Sequence, residues 1–83
     1  MDREALLKLF ARYPKLEMFI GAGTIGLKTA REILDIDRWL MQDIFKELIC
    51  CGAVKACGNT SWRATEECQQ FLAERRQQDV NGQ

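Results

Sequence analysis

The chain has 83 residues, twelve cations against twelve anions, no histidine and four cysteines. That length makes one small domain with a modest core, since chains of about 60 residues bury only about 60% of their unfolded surface. An apolar fraction of 47% argues against intrinsic disorder. A balanced charge argues against very strong non-specific binding to nucleic acid, which depends on cations meeting phosphates.

In chain order, Asp2 to Arg12 carries Leu6, Leu9, Phe10 and Tyr13 at helical spacing. Pro14 disfavours the helical region for Tyr13 and so ends this first helix. From Leu16 to Ile20, alternation of Leu16, Met18 and Ile20 with Glu17 and Phe19 predicts a short strand. Gly21 to Gly26 then matches G-x-G-x-x-G. A dinucleotide site would need that turn inside a larger parallel sheet, with an acidic residue about 20 positions on. The chain is too short for such a sheet, and Asp43, the acid nearest that offset, falls inside a helix. The glycines read better as a tight entry into the next helix, with Thr24 as a candidate cap.

Leu27, Ala30 and Leu34 share one face of that helix, while Lys28, Arg31 and Glu32 fall elsewhere. The pattern breaks at Asp35-Ile36-Asp37, and Asp37 is a good N-cap for a second helix, Arg38 to Cys51. Met41, Ile44, Phe45 and Leu48 form its inner side; Arg38, Gln42, Asp43 and Lys46 its outer one. Gly52 stops it, because glycine takes the left-handed conformation without a Cβ penalty. Ala53 to Cys57 and Thr60 to Ala64 read as two strands about a Gly58-Asn59 turn, a pair that tolerates positive φ. Thr65 caps a last helix with Glu66 and Glu67 in its first turn and Cys68, Phe71 and Leu72 on its apolar face. Residues 77–83 read as a flexible polar tail after a single domain, 1–76.

The expected order is therefore helix-strand-helix-helix-strand-strand-helix, a mostly helical α+β fold. Two helices about a tight turn, followed by a hairpin, outline a helix-turn-helix with a wing. The run Leu48-x-x-x-Gly52-x-Val54, with Trp62-Arg63-Ala64-Thr65-Glu66-Glu67 after the turn, resembles the winged helix-turn-helix superfamily. Ala53, Ala64 and Cys68 stand where that family usually has leucine, leucine and glycine. With Lys28-Thr29-Ala30 opening the first motif helix, the chain looks most like the small transcriptional regulators of bacterial fimbrial operons.

That resemblance implies a sequence-specific, double-stranded-DNA-binding regulator of bacterial, phage or plasmid type, working as a homodimer in the cytoplasm. Arg38 to Cys51 would be the recognition helix, with Arg38, Trp39, Gln42, Asp43 and Lys46 toward the major groove. Lys28 and Thr29, with Arg31 behind them, would meet the backbone. Lys55, Asn59 and Arg63 would bring the wing, Ala53 to Ala64, to a phosphate or the minor groove. This wing segment holds two cations and no anion.

Each assignment has a plainer counterpart. Trp39 can pack on the preceding helix, and Arg38 beside Asp37, or Lys46 near Asp43 and Glu47, can be a solvated charged face. The neutral net charge also fits a winged-helix module that binds a protein partner instead of DNA. The outer helices offer Leu6, Leu9, Phe10, Tyr13, Phe71 and Leu72 either to a dimer interface or to the monomer's own core.

Other classes are disfavoured. Without histidine, and with the lone Ser61 in a strand, no acid–base or nucleophilic constellation is visible, so an enzyme is not expected. Cys50, Cys51, Cys57 and Cys68 lack C-x-x-C spacing; they read as small packing residues, with a redox or iron–sulfur role as the alternative. No cofactor and no metal is expected. No apolar run approaches the ~18 residues that span a bilayer, and Met1-Asp2-Arg3-Glu4 does not read as a secretory signal.

Overall fold

The two central helices and the hairpin fall close to where the sequence places them. In the computed structural model, which describes the backbone of residues 1–81 and the side chains of residues 1–77, the elements run α1 (Arg3–Arg12), α2 (Pro14–Phe19), β1 (Thr24–Gly26), α3 (Leu27–Leu34), α4 (Arg38–Cys50), β2 (Val54–Ala56), β3 (Ser61–Ala64) and α5 (Glu66–Asn81). The fold is mostly helical α+β, and its order is the expected one with α2 added. Its three strands form one antiparallel sheet in the order β1-β3-β2.

Local chemistry sets most boundaries. The Asp2 carboxylate accepts from the Ala5 N–H at 3.1 Å and opens α1; Asp37 accepts from the Leu40 N–H at 2.8 Å and opens α4. Between α3 and α4, Asp35 takes a left-handed conformation, φ 55°, which lets the chain turn within three residues. Gly52, φ 81°, performs the reversal after α4. Thr65 accepts from the Cys68 N–H at 3.3 Å while its hydroxyl donates to the Gly52 carbonyl at 2.9 Å. One side chain thus caps α5 and ties it to the end of α4.

Two local expectations are corrected. Residues 16–20 do not form a strand: Pro14 stands in the first turn of α2, where its missing N–H costs nothing. Leu16, Phe19 and Ile20 are buried at i, i+3 and i+4, whereas Met18, the centre of the apparent alternation, is 79% exposed. The strand lies instead at Thr24–Gly26, inside the glycine-rich turn, where Ile25 pairs with Trp62. Thr24 is consequently not the cap of α3. Gly26 occupies that position and offers no side-chain hydrogen bond.

Trp62 lies at the centre of the core, fully buried and stacked on Phe45 with ring centroids 5.5 Å apart. Leu6, Leu16, Ile20, Ile44 and Leu48 close around it, each 2% exposed or less. Leu6, Leu9, Phe10, Phe71 and Leu72 are all spent inside this core, and Tyr13 packs against it. These are the faces that a dimer would otherwise have used. Arg75 fastens α5 to α2 through a paired contact with Glu17 at 3.0 and 3.2 Å.

The polar stretch from Gln77 continues α5 as far as Asn81, and the last two positions of the expected tail lie outside the described residues. Among the described residues no helix is long and apolar enough to cross a membrane. A small α+β domain with a three-stranded antiparallel sheet beside a helix pair is compatible with a winged helix.

Candidate nucleic-acid interface

Strand β1 is three residues long, yet it determines where the basic side chains meet. Its register sets Gly26 opposite Ser61, and the Leu27 N–H donates to the Thr60 carbonyl at 2.7 Å. The hairpin loop between β2 and β3 is thereby fixed against the first turn of α3. The loop itself closes on the Cys57 N–H donating to the Ser61 carbonyl at 2.8 Å and on the Ser61 hydroxyl donating to the Cys57 carbonyl. Gly58 supplies the positive φ, 82°, that this loop needs.

A cleft of about 310 Å³ opens between the start of α3, the start of α4 and this loop. Lys28, Arg31 and Arg38 line it together with Gln42 and Asn59, and its apolar part is Leu27 and Met41. Thr60 completes the wall on the hairpin side. No carboxylate lines the cleft. Among the described residues the ion pairs within 4.0 Å are Met1 with Glu67, Arg3 with Glu74, Lys8 with Glu4 and Arg75 with Glu17. The three cleft cations belong to none of them. Lys28 and Arg31 stand at i, i+3 on one helix, a like-charged spacing that costs a few tenths of a kcal/mol and that no ion pair here offsets.

The remaining candidates are placed differently. Trp39 does not pack on α3: it is 67% exposed, with the Arg38 guanidinium 5.0 Å above its ring. Lys46 is exposed on α4 and Thr29 on α3, and neither lines the cleft. Asp43 is exposed in mid-helix. Lys55 and Arg63 are directly opposite one another on neighbouring strands, on the face of the sheet turned away from Trp62. They border a separate recess that also contains Glu66 and Gln69. The cations therefore form two groups: three around the cleft without a carboxylate, and two on the outer sheet face beside one.

Leu27, Met41 and Thr60 were not readable as site residues. Met41 carries only the signal of a core position on α4, and Thr60 only that of a strand start. Their place in the cleft comes from the pairing of β1 with β3.

The cysteines divide in the same way. Cys51 and Cys68 are buried, and burial pushes the Cys51 thiol up and the Cys68 thiol up to about 11. Cys50 and Cys57 are exposed, so the packing role expected of all four holds for two. Among the described residues no group of three or more cysteine, aspartate or glutamate side chains is arranged to hold a metal ion. No family model matches the chain, and no curated protein or solved structure is found to resemble it.

Proposed function

We propose that this protein is a sequence-specific DNA-binding transcriptional regulator that uses α4 as recognition helix and the β2–β3 hairpin as wing. The observation that carries this reading is the cleft: Lys28, Arg31, Arg38, Gln42 and Asn59, taken from three separate elements, converge on one surface free of carboxylates. Arg38 and Gln42 stand one turn apart at the start of α4, and arginine and glutamine are the side chains that bind guanine and adenine edges bidentately. Lys28 and Arg31 are suited to phosphates on either side, which position the helix without reading sequence. Three such cations give few phosphate contacts per chain, so the reading includes two copies on a two-fold site.

The test is a gel shift against fragmented DNA of the source genome at two salt concentrations. Replacing Lys28, Arg31 and Arg38 together with alanine is expected to abolish the shift and, where residual binding is measurable, to lower the slope of log K against log salt by about 2.7, at about 0.9 per phosphate contact. Lys55→Ala with Arg63→Ala measures separately what the outer sheet face adds. A shift that survives the triple change would place the interface elsewhere.

A second reading is favoured by one observation. Trp39 is largely exposed beside Arg38, and tryptophan and arginine dominate protein–protein hot spots. In a protein-binding module, wild-type protein would give no DNA shift at low salt, and Trp39→Ala would abolish partner binding.

A further inference from the structure

The cleft has a property that a duplex does not fully use. It joins three cations to a pair of apolar side chains, Leu27 and the buried Met41, with the neutral hydrogen-bonding groups of Gln42, Asn59 and Thr60 beside them. Phosphates would engage the cations and leave the apolar part empty. At about 310 Å³ it lies at the small end of the range of about 300–1,000 Å³ typical of small-molecule sites, and a few polar groups on an apolar lining is their usual composition.

We propose that this cleft also binds a small organic anion with a flat apolar body, of the aromatic carboxylate class. The carboxylate meets Lys28, Arg31 and Arg38, which have no other anion. Arginine forks match a carboxylate bidentately, and a guanidinium also stacks on flat groups. The ring lies against Leu27 and Met41, removing apolar surface from water. Gln42 and Asn59 supply both donors and acceptors for a polar ring substituent. Arg31 is half-buried, so its charge is less screened than those of Lys28 and Arg38 at the surface. The proposal rests on the same cleft as the DNA reading but does not require DNA. Where both hold, ligand and duplex exclude one another, because they need the same three cations.

The experiment is a titration of the full chain, without DNA, followed by the backbone amide signals of an isotope-labelled sample. Salicylate is the probe. Inorganic phosphate tests charge without the ring, and salicylamide tests the ring without charge. Salicylate is expected to shift the amides of residues 27–31, 38–42 and 59–60 saturably, with both controls about tenfold weaker, the loss of one good charge-assisted contact. Lys28→Gln with Arg31→Gln is expected to weaken salicylate by at least about tenfold for the same reason. In that variant the amides of α1 and α5 should stay in place, showing that the fold is intact. Lys55→Gln, on the outer sheet face, leaves the affinity unchanged. No saturable shift, shifts mapping outside the cleft, equal binding of salicylamide, or salicylate binding that survives the double change would each overturn the proposal. Failure of the DNA shift alone would remove the regulator and leave the ligand site standing.

Discussion

Trp62 offers a sharp test of the packing account, because its indole is both the largest fully buried side chain and the carrier of an unpartnered donor. Its Nε1 is buried and meets no acceptor. An unsatisfied buried donor costs about 1–3 kcal/mol. Trp62→Phe removes that donor and keeps a ring to stack on Phe45. The lost apolar area, roughly 40 Å² at about 25 cal/mol per Å², amounts to about 1 kcal/mol, with a further small loss for the cavity. The two effects oppose and nearly cancel, so Trp62→Phe should fall within about 1 kcal/mol of wild type. Trp62→Ala loses the ring entirely and should cost about 3–5 kcal/mol, much of the 5–15 kcal/mol that holds a small domain together. Urea unfolding followed by far-UV circular dichroism measures both, since the remaining Trp39 is exposed and reports poorly on the core. A loss above about 3 kcal/mol for Trp62→Phe would show that Nε1 has a partner, such as an ordered water, and would refute the reasoning.

Three further outcomes follow from particular contacts. Asp37→Ala removes the Leu40 N–H acceptor and should cost about 1 kcal/mol, read as a lower urea midpoint at unchanged slope. Gly52→Ala places a Cβ 3.3 Å from the Met1 Cα at a φ of 81°, and should destabilise by more than about 1 kcal/mol in the same assay. In the native protein, Cys50 and Cys57 should react with a thiol reagent at once, and Cys51 and Cys68 only on unfolding. The Cys68 thiol is held near 11 against an ordinary 9.0, so above pH 9 the unfolded chain releases its proton first and binds fewer protons than the folded one. Stability should therefore fall as pH rises from about 9 to about 11. Cys68→Ala should remove that part of the slope, and an unchanged slope would show the thiol titrating freely.

Much of the frame was legible from single residues. Asp37, Gly52 and Thr65 act as expected because capping and left-handed turns are local: the carboxylate or hydroxyl reaches an N–H within three residues, and the glycine needs only its own φ. The hairpin was legible for the same reason, since Gly58-Asn59 between two short apolar runs states its own geometry. Residues 16–20 were ambiguous because five residues fit both a period of 2 and a period of 3.6. Whether Met18 or Phe19 points inward was settled by the core that α2 packs against.

Strand β1 was beyond the sequence. Three residues between glycines carry no period of their own, and Thr24–Gly26 is a strand because β3 presents an open edge to it. From that pairing comes the cleft, with Lys28, Arg31 and Arg38 drawn together and Lys55 and Arg63 sent to the other face of the sheet. Sequence spacing determines which residues share a helix face, and so it foretold that these cations would be wet. Which cations face each other across separate elements is a matter of long-range register, and only the closed sheet decides it.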